Sequence, residues 1–128
     1  MAVKKINPSS QTLIVQADFS GNSNIEFYSE IQKQVSKIEN NIGLVILNAG
    51  VGKDGPFSEV CATETQVELD TNVYHVALMA KKMLAGLEAR NSRSGLITVS
   101  SIASYIPIPG LISYSATKSF VTFFTQAL

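Results

Sequence analysis

The sequence is poor in the features that mark several classes of protein. Cys61 is its only cysteine, so an intrachain disulfide is excluded, and no group of Cys and His residues has the spacing of a metal site. Ten basic and ten acidic residues cancel to a formal charge of zero, which removes any general attraction to nucleic acid or acidic membranes. Partners must therefore be inferred from particular sites.

Long apolar runs are also missing. The longest mostly apolar stretch, Ile42–Val51, is about ten residues long and carries polar groups, whereas a helix needs roughly 20 residues to cross a bilayer. The first residues include Lys4, Lys5 and Asn7 but no apolar run, so they do not resemble a secretion signal. We expect one globular unit, residues 1–128, without a membrane span of its own.

Short apolar runs alternate with longer segments of helical periodicity. The runs predict buried strands at Thr12–Val15, Leu44–Leu47 and Leu96–Val99. Apolar residues at spacings of three and four predict helices within Asn24–Asn40, Thr63–Leu87 and Ser113–Leu128. This alternation predicts an α/β fold with a parallel sheet, in which ligands bind beyond the carboxyl ends of the strands.

Polar and small residues follow each predicted strand. Asp18 follows the first, Asn48-Ala49-Gly50 the second, and Ser101 the third. Because the carboxyl ends of parallel strands meet at one edge, these residues are expected on one rim of the sheet. Asp18 also fits a helix cap or turn, and Gly50 a structural turn.

Tyr114 and Lys118 lie four residues apart near the start of the last predicted helix. This spacing places the phenol and the ammonium on one face, one turn apart. A phenol ordinarily ionises near pH 10, and a cation within roughly 4 to 6 Å favours the phenolate. Alone, the pair could equally be a surface Tyr/Lys pair.

The order of these motifs resembles the short-chain dehydrogenase/reductase family. Its hallmark is Tyr-x-x-x-Lys with an upstream Ser, which matches Tyr114, Lys118 and Ser101. Asn48-Ala49-Gly50 is similar to the family's Asn-Ala-Gly motif, although Leu47 stands where another Asn is usual. The resemblance covers nearly the whole chain.

The resemblance implies a role for each of these side chains. Tyr114 would be the general acid/base, Lys118 would favour its phenolate and hold the nicotinamide ribose, and Ser101 would stabilise charge on the substrate oxygen. Asn72 is similar to the Asn of the family's catalytic tetrad, which holds a water in a proton relay. Asp18 is similar to the Asp that contacts the adenine ring, and Asn48, Ala49, Gly50 and Tyr114 would line the cofactor.

The implied fold is a partial, Rossmann-like, doubly wound parallel sheet of three strands alternating with three helices. Relative to the family, the first two strands and the C-terminal strands are lacking, and so is the Thr-Gly-x-x-x-Gly-x-Gly turn that holds the pyrophosphate. Since the family's strand order is 3-2-1-4-5-6-7, the first strand here would be separated from the others by a gap. We hypothesise a truncated form of an NADP- or NAD-dependent enzyme.

The resemblance is strongest to the hydroxysteroid dehydrogenase and 3-oxoacyl-CoA reductase branch, which implies a ketone or secondary alcohol on a hydrophobic substrate. It further implies a homo-oligomer through the two long helices and a cytoplasmic or endoplasmic reticulum location; the choice between NAD and NADP stays open. One alternative is a catalytically silent interaction module. Another is the epimerase/dehydratase group, which shares Tyr-x-x-x-Lys, but the Asn-Ala-Gly loop argues against it.

Two further features have plain structural interpretations. Gly50, Gly52 and Gly55 satisfy the dinucleotide fingerprint G-x-G-x-x-G, but Pro56 and Phe57 follow where that motif requires an opening helix. The match is therefore interpreted as false. His75 is interpreted as a partly buried core histidine, because nothing pairs with it at metal spacing.

Overall fold

The computed structural model describes residues 12–37 and 42–128. Its helices are α1 (Ile25–Ser36), α2 (Ala62–Leu69), α3 (His75–Glu88) and α4 (Ile112–Ala127). Its strands are β1 (Leu44–Leu47) and β2 (Gly95–Thr98), and a short 3-10 helix spans Ile102–Ser104. A π-helical segment, Asp70–Tyr74, joins α2 to α3, so the long predicted helix is continuous but has one wide turn.

The two strands form the parallel pair that the sequence predicts. Leu44 is in register with Gly95, and Leu47 with Thr98. The crossover between them consists of α2, the π-helical segment and α3, which together form the long helix. A helical crossover of this kind is the connection that parallel strands require. The α/β class and the parallel direction are confirmed.

The first predicted strand does not form. The segment Thr12–Val15 has no strand partner among the described residues, and Leu13 and Ile14 are 44% and 72% exposed. The reason is that a strand depends on hydrogen bonds to a neighbour, and β1 pairs only with β2 in the described sheet. The prediction of three strands is wrong for this segment.

The core lies on one face of the sheet. Helices α1, α3 and α4 contribute Tyr28, Val76 and Val121, which pack with Leu47 of β1. The opposite sheet face is half exposed at Leu44, Ile46 and Ile97. This differs from the predicted burial of the strands, because the helices of the described residues that form the core pack on one side.

The described residues offer neither a membrane-spanning helix nor a cluster of metal ligands. None of their helices has both the length and the hydropathy of a membrane span. Within the same ranges, no three His, Cys, Asp or Glu side chains are grouped so that they could hold a metal ion.

Candidate active site

Tyr114 and Lys118 lie together on α4, as the helical spacing predicts. The Lys118 Nζ is 5.7 Å from the centroid of the Tyr114 ring and donates a hydrogen bond to the carbonyl of Val99 at 2.8 Å. Lys118 is 4% exposed, and burial lowers the pKa of its ammonium. The carbonyl of Val99, just past β2, therefore fixes the cation beside the phenol.

The glycines that follow β1 pack against this pair. A Cβ added to Gly50 would lie 3.0 Å from Lys118 Nζ, and one added to Gly52 would lie 2.7 Å from Tyr114 Cδ2. Side chains larger than hydrogen therefore cannot occupy these positions without movement. These close approaches explain the two glycines better than the dinucleotide fingerprint does, since no helix begins between the end of β1 at Leu47 and Ala62.

Asn72 lies in the π-helical segment and is fully buried. Its Oδ1 accepts from the N–H of Val51 at 2.9 Å, while its Nδ2 donates to the carbonyl of Val51 at 2.7 Å and to Thr117 Oγ1 at 2.9 Å. The Thr117 hydroxyl donates to the carbonyl of Tyr114 at 2.7 Å. Asn72 thus connects the loop after β1 that contains Gly50 and Gly52, the glycine loop, to the helix that carries Tyr114.

Ser101 precedes the 3-10 helix, and its Oγ accepts from the N–H of Ala103 at 3.2 Å. Residues before and after Ser101 are hydrogen-bonded to α4. The Ser100 hydroxyl donates to the carbonyl of Lys118 at 3.0 Å, and the Ser119 hydroxyl donates to the carbonyl of Ser104 at 3.0 Å. Ser101 therefore lies in a loop held against the helix of Tyr114 and Lys118, with its hydroxyl proton left to donate.

Asp18 is exposed and bonded within its own turn. Its Oδ1 accepts from the backbone N–H and the hydroxyl of Ser20, at 3.0 and 2.7 Å, and the hydroxyl hydrogen bond is the main cause that lowers the pKa of Asp18. The turn reaches the long helix through the N–H of Gly21, which donates to Asp70 Oδ2 at 3.0 Å. These contacts agree with the turn interpretation and leave the adenine contact a prediction.

The predicted rim residues differ in exposure. Asn48 and Gly50 are exposed and Ala49 is half buried. A cleft of about 370 Å³ opens beside them, lined by Gly50, Val51, Gly52, Leu111 and Tyr114. The phenol therefore faces a space that a small molecule could enter, with the glycine loop as one wall.

Sequence reasoning missed three buried polar residues of this region. Thr117 is 2% exposed, and Glu68 and Asp70 are each 1% exposed. Thr117 could have been suspected because it lies inside the Tyr-x-x-x-Lys spacer. Glu68 and Asp70 interrupt an otherwise amphipathic helix, but their hydrogen bonds to distant loops could not be seen in the spacing. His75 is 4% exposed, which confirms its interpretation as a core histidine.

Comparison with known proteins gives a consistent result. The sequence model described as short chain dehydrogenase matches residues 1–128. The chain is 32% identical over 129 residues to the very-long-chain 3-oxoacyl-CoA reductase of Mus musculus, covering 98% of this chain and 39% of that protein. It therefore spans well under half the length of this relative.

Two solved structures share the fold. A 3-ketoacyl-(acyl-carrier-protein) reductase from Brucella melitensis, complexed with NADH, is 25% identical with a TM-score of 0.75, over 82% of this chain and 45% of that one. A short-chain dehydrogenase from Streptomyces avermitilis is 18% identical with a TM-score of 0.82, over 98% and 44% of the two chains. The latter similarity supports the Rossmann-like fold alone.

Proposed function

This chain belongs to the short-chain dehydrogenase family, and from that premise we propose that it carries the proton-transfer site of an NAD(P)-dependent oxidoreductase. The reaction interconverts a ketone and a secondary alcohol. The observation that carries the proposal is the buried Lys118 ammonium, 5.7 Å from the Tyr114 ring at the edge of an open cleft. Its catalytic residues are Asn72, Ser101, Tyr114 and Lys118.

In this mechanism Tyr114 donates its proton to the substrate oxygen during reduction and removes it during oxidation. Lys118 places its charge beside the phenol, and its position is maintained by the carbonyl of Val99. Ser101 donates a hydrogen bond to the same substrate oxygen, where negative charge develops. Asn72 keeps the glycine loop against Tyr114.

The rim of the sheet fits the nicotinamide half of a dinucleotide. A Cβ on Gly50 would lie 3.0 Å from Lys118 Nζ. Because glycine has no Cβ, there is room for a ribose between the Gly50 backbone and the ammonium. Asn48, Ala49, Gly50 and Lys118 would hold that part, and Asp18 the adenine. The bound NADP or NAD would supply the hydride. No Thr-Gly-x-x-x-Gly-x-Gly turn for the pyrophosphate occurs in the 128 residues.

A hydrophobic acyl substrate is the class that best suits the apolar surface beside α4. A second cleft, of about 360 Å³, is lined mainly by Pro107, Ile108, Pro109 and Ile112, and the neighbouring Ile106 is 62% exposed. Such a surface would accommodate an alkyl chain. The 32% identity to a very-long-chain 3-oxoacyl-CoA reductase favours a 3-oxoacyl chain over a steroid.

We also propose that two copies associate through the long helix and α4. An apolar groove of about 470 Å³ lies between these helices, and Phe57, Leu69, Val73, Ile112 and Phe120 line it. Phe57 and Ile112 are 52% and 55% exposed, and a contiguous apolar patch of this kind is typical of an interface. Sedimentation at several protein concentrations tests the association.

The test of function is titration of the purified chain with NADPH and with NADH, followed by a 3-oxoacyl-CoA assay that monitors nicotinamide absorbance. Saturable binding and turnover that Tyr114→Phe abolishes would support the proposal. Binding without turnover, unaffected by Tyr114→Phe, would contradict it.

A second candidate is a catalytically silent module that pairs its uncovered sheet face with a complete relative. The half-exposed Leu44, Ile46 and Ile97 favour it. Copurification with such a relative, in the absence of cofactor binding by the chain alone, would distinguish it from the enzyme.

A further inference from the structure

Glu68 is a buried carboxylate that the proposed chemistry does not use. Its side chain on α2 is 1% exposed, and its Oε1 accepts a hydrogen bond from the backbone N–H of Lys53. Among the residues that the structure describes, its Oε2 has no hydrogen-bond partner. A buried carboxylate with incomplete hydrogen bonding is unfavourable, whereas an apolar side chain would pack here without that penalty. The hydrogen bond from the Lys53 N–H is therefore the one contact here that an apolar side chain could not make and an acceptor side chain can.

Lys53 is joined to the same helix a second time. Its Nζ lies 3.1 Å from Glu64 Oε1, and Glu64 is four residues before Glu68, hence on the same helical face. The Glu64 pair is substantially exposed, so it contributes little. The buried bond to Glu68 is the stronger of the two anchors, because a charged acceptor is shielded from water.

Gly52 lies between two residues that are both held by the long helix. Asn72 binds both backbone groups of Val51, and Glu68 binds the N–H of Lys53. The backbone of Gly52 is thereby held so close to Tyr114 that an added Cβ would lie 2.7 Å from the ring. A shift of Lys53 would move this wall of the cleft away from the phenol.

We propose that Glu68 is a positioning residue, which holds Gly52 against the Tyr114 ring by accepting the Lys53 N–H and so sets the orientation of the phenol. The importance of that orientation for turnover rests on the proposed function. The contact itself does not, so it can be tested without an assay of activity.

The experiment compares Glu68→Gln with Glu68→Met by NMR, following the Tyr114 ring and the Lys53 amide. Glutamine keeps an oxygen acceptor and methionine does not. We expect Glu68→Met to shift the Tyr114 ring resonances and to speed exchange of the Lys53 amide roughly tenfold or more, in line with loss of a hydrogen bond to a charged group. Glu68→Gln should restore most of both signals. Tyr114→Phe assigns the ring among the four tyrosines.

Glu88→Gln is the matched control, because Glu88 is an exposed acid on α3. It should leave both signals unchanged.

The proposal is overturned if Glu68→Met leaves the Tyr114 ring resonances unchanged, or if Glu68→Gln shifts them as far as Glu68→Met does. If Glu68→Met fails to fold, the exchange rate of the Lys53 amide in the unsubstituted chain tests the proposal instead. Exchange as fast as that of an unprotected amide overturns it. Slow exchange that is preserved in Glu68→Gln supports it. None of these results depends on turnover, so they are separable from failure of the proposed function.

Discussion

Asn72 holds Val51 by both of that residue's backbone groups. The Asn72 Oδ1 accepts from the Val51 N–H at 2.9 Å, and the Nδ2 donates to the Val51 carbonyl at 2.7 Å. Only an amide side chain offers a donor and an acceptor in this arrangement. The residue therefore has a clear structural role, in addition to the catalytic role that its resemblance to the family predicts.

Asn72→Ala removes these bonds and the one to the Thr117 hydroxyl. We expect a loss of about 2–4 kcal/mol in the free energy of unfolding, because three hydrogen bonds of a fully buried side chain are lost. Urea denaturation measures it. Asn91→Ala is the control, since Asn91 is exposed. Equal midpoints for the two variants would contradict the role of Asn72.

Gly52→Ala introduces a Cβ 2.7 Å from Tyr114 Cδ2. Because one of the two must move, we expect destabilisation of about 1–3 kcal/mol, together with a shifted ring resonance for Tyr114. Gly86→Ala is the matched control: its Cβ would meet nothing within 4 Å, on α3. That substitution should stabilise the chain by about 0.5–1 kcal/mol, because Ala favours helix. A neutral Gly52→Ala would show that the loop is loosely held.

His75 makes stability depend on pH. Burial is the main cause that lowers its pKa from the ordinary value of 6.5, and the Phe19 ring lies 4.0 Å from its own, centroid to centroid. The unfolded chain therefore binds this proton more readily than the folded chain does. The contribution of His75 to the free energy of unfolding is complete above about pH 6.5. It is lost as the pH falls through the lower pKa of the folded chain.

Urea midpoints from neutral pH down to about pH 5 measure this effect. In His75→Gln, which does not titrate there, the decline should be smaller than in the unsubstituted chain. His75 is the single histidine, so its NMR titration gives the folded pKa directly. A folded pKa above 6.5 would reverse the expected slope and contradict the prediction.

Tyr114→Phe tests the acid/base role. In a preparation that turns over, we expect activity to fall by about 10²–10⁴-fold, the usual contribution of a positioned proton donor. The free energy of unfolding should change by less than about 1 kcal/mol, since one hydroxyl is removed from a half-buried ring. Tyr105→Phe is the control, because Tyr105 is 69% exposed. Retained activity in Tyr114→Phe would remove Tyr114 from the mechanism.

Parts of the site were predictable because they follow from local geometry. The pairing of Tyr114 with Lys118 follows from a four-residue helical spacing, and the strands Leu44–Leu47 and Gly95–Thr98 follow from apolar runs. Thr12–Val15 has the same local pattern and yet forms no strand. A strand requires a hydrogen-bonded neighbour, and no periodicity within a segment reveals whether that neighbour is present.

Spacing along the chain is enough to predict the α/β class, the parallel direction of the sheet, and the helix that carries the phenol and the ammonium. Three contacts become visible only in the folded chain: Gly52 touches the Tyr114 ring, Asn72 holds Val51, and Glu68 is buried against Lys53. These contacts join residues 15 to 62 positions apart, and their distances depend on how the loop after β1 packs against the long helix and α4.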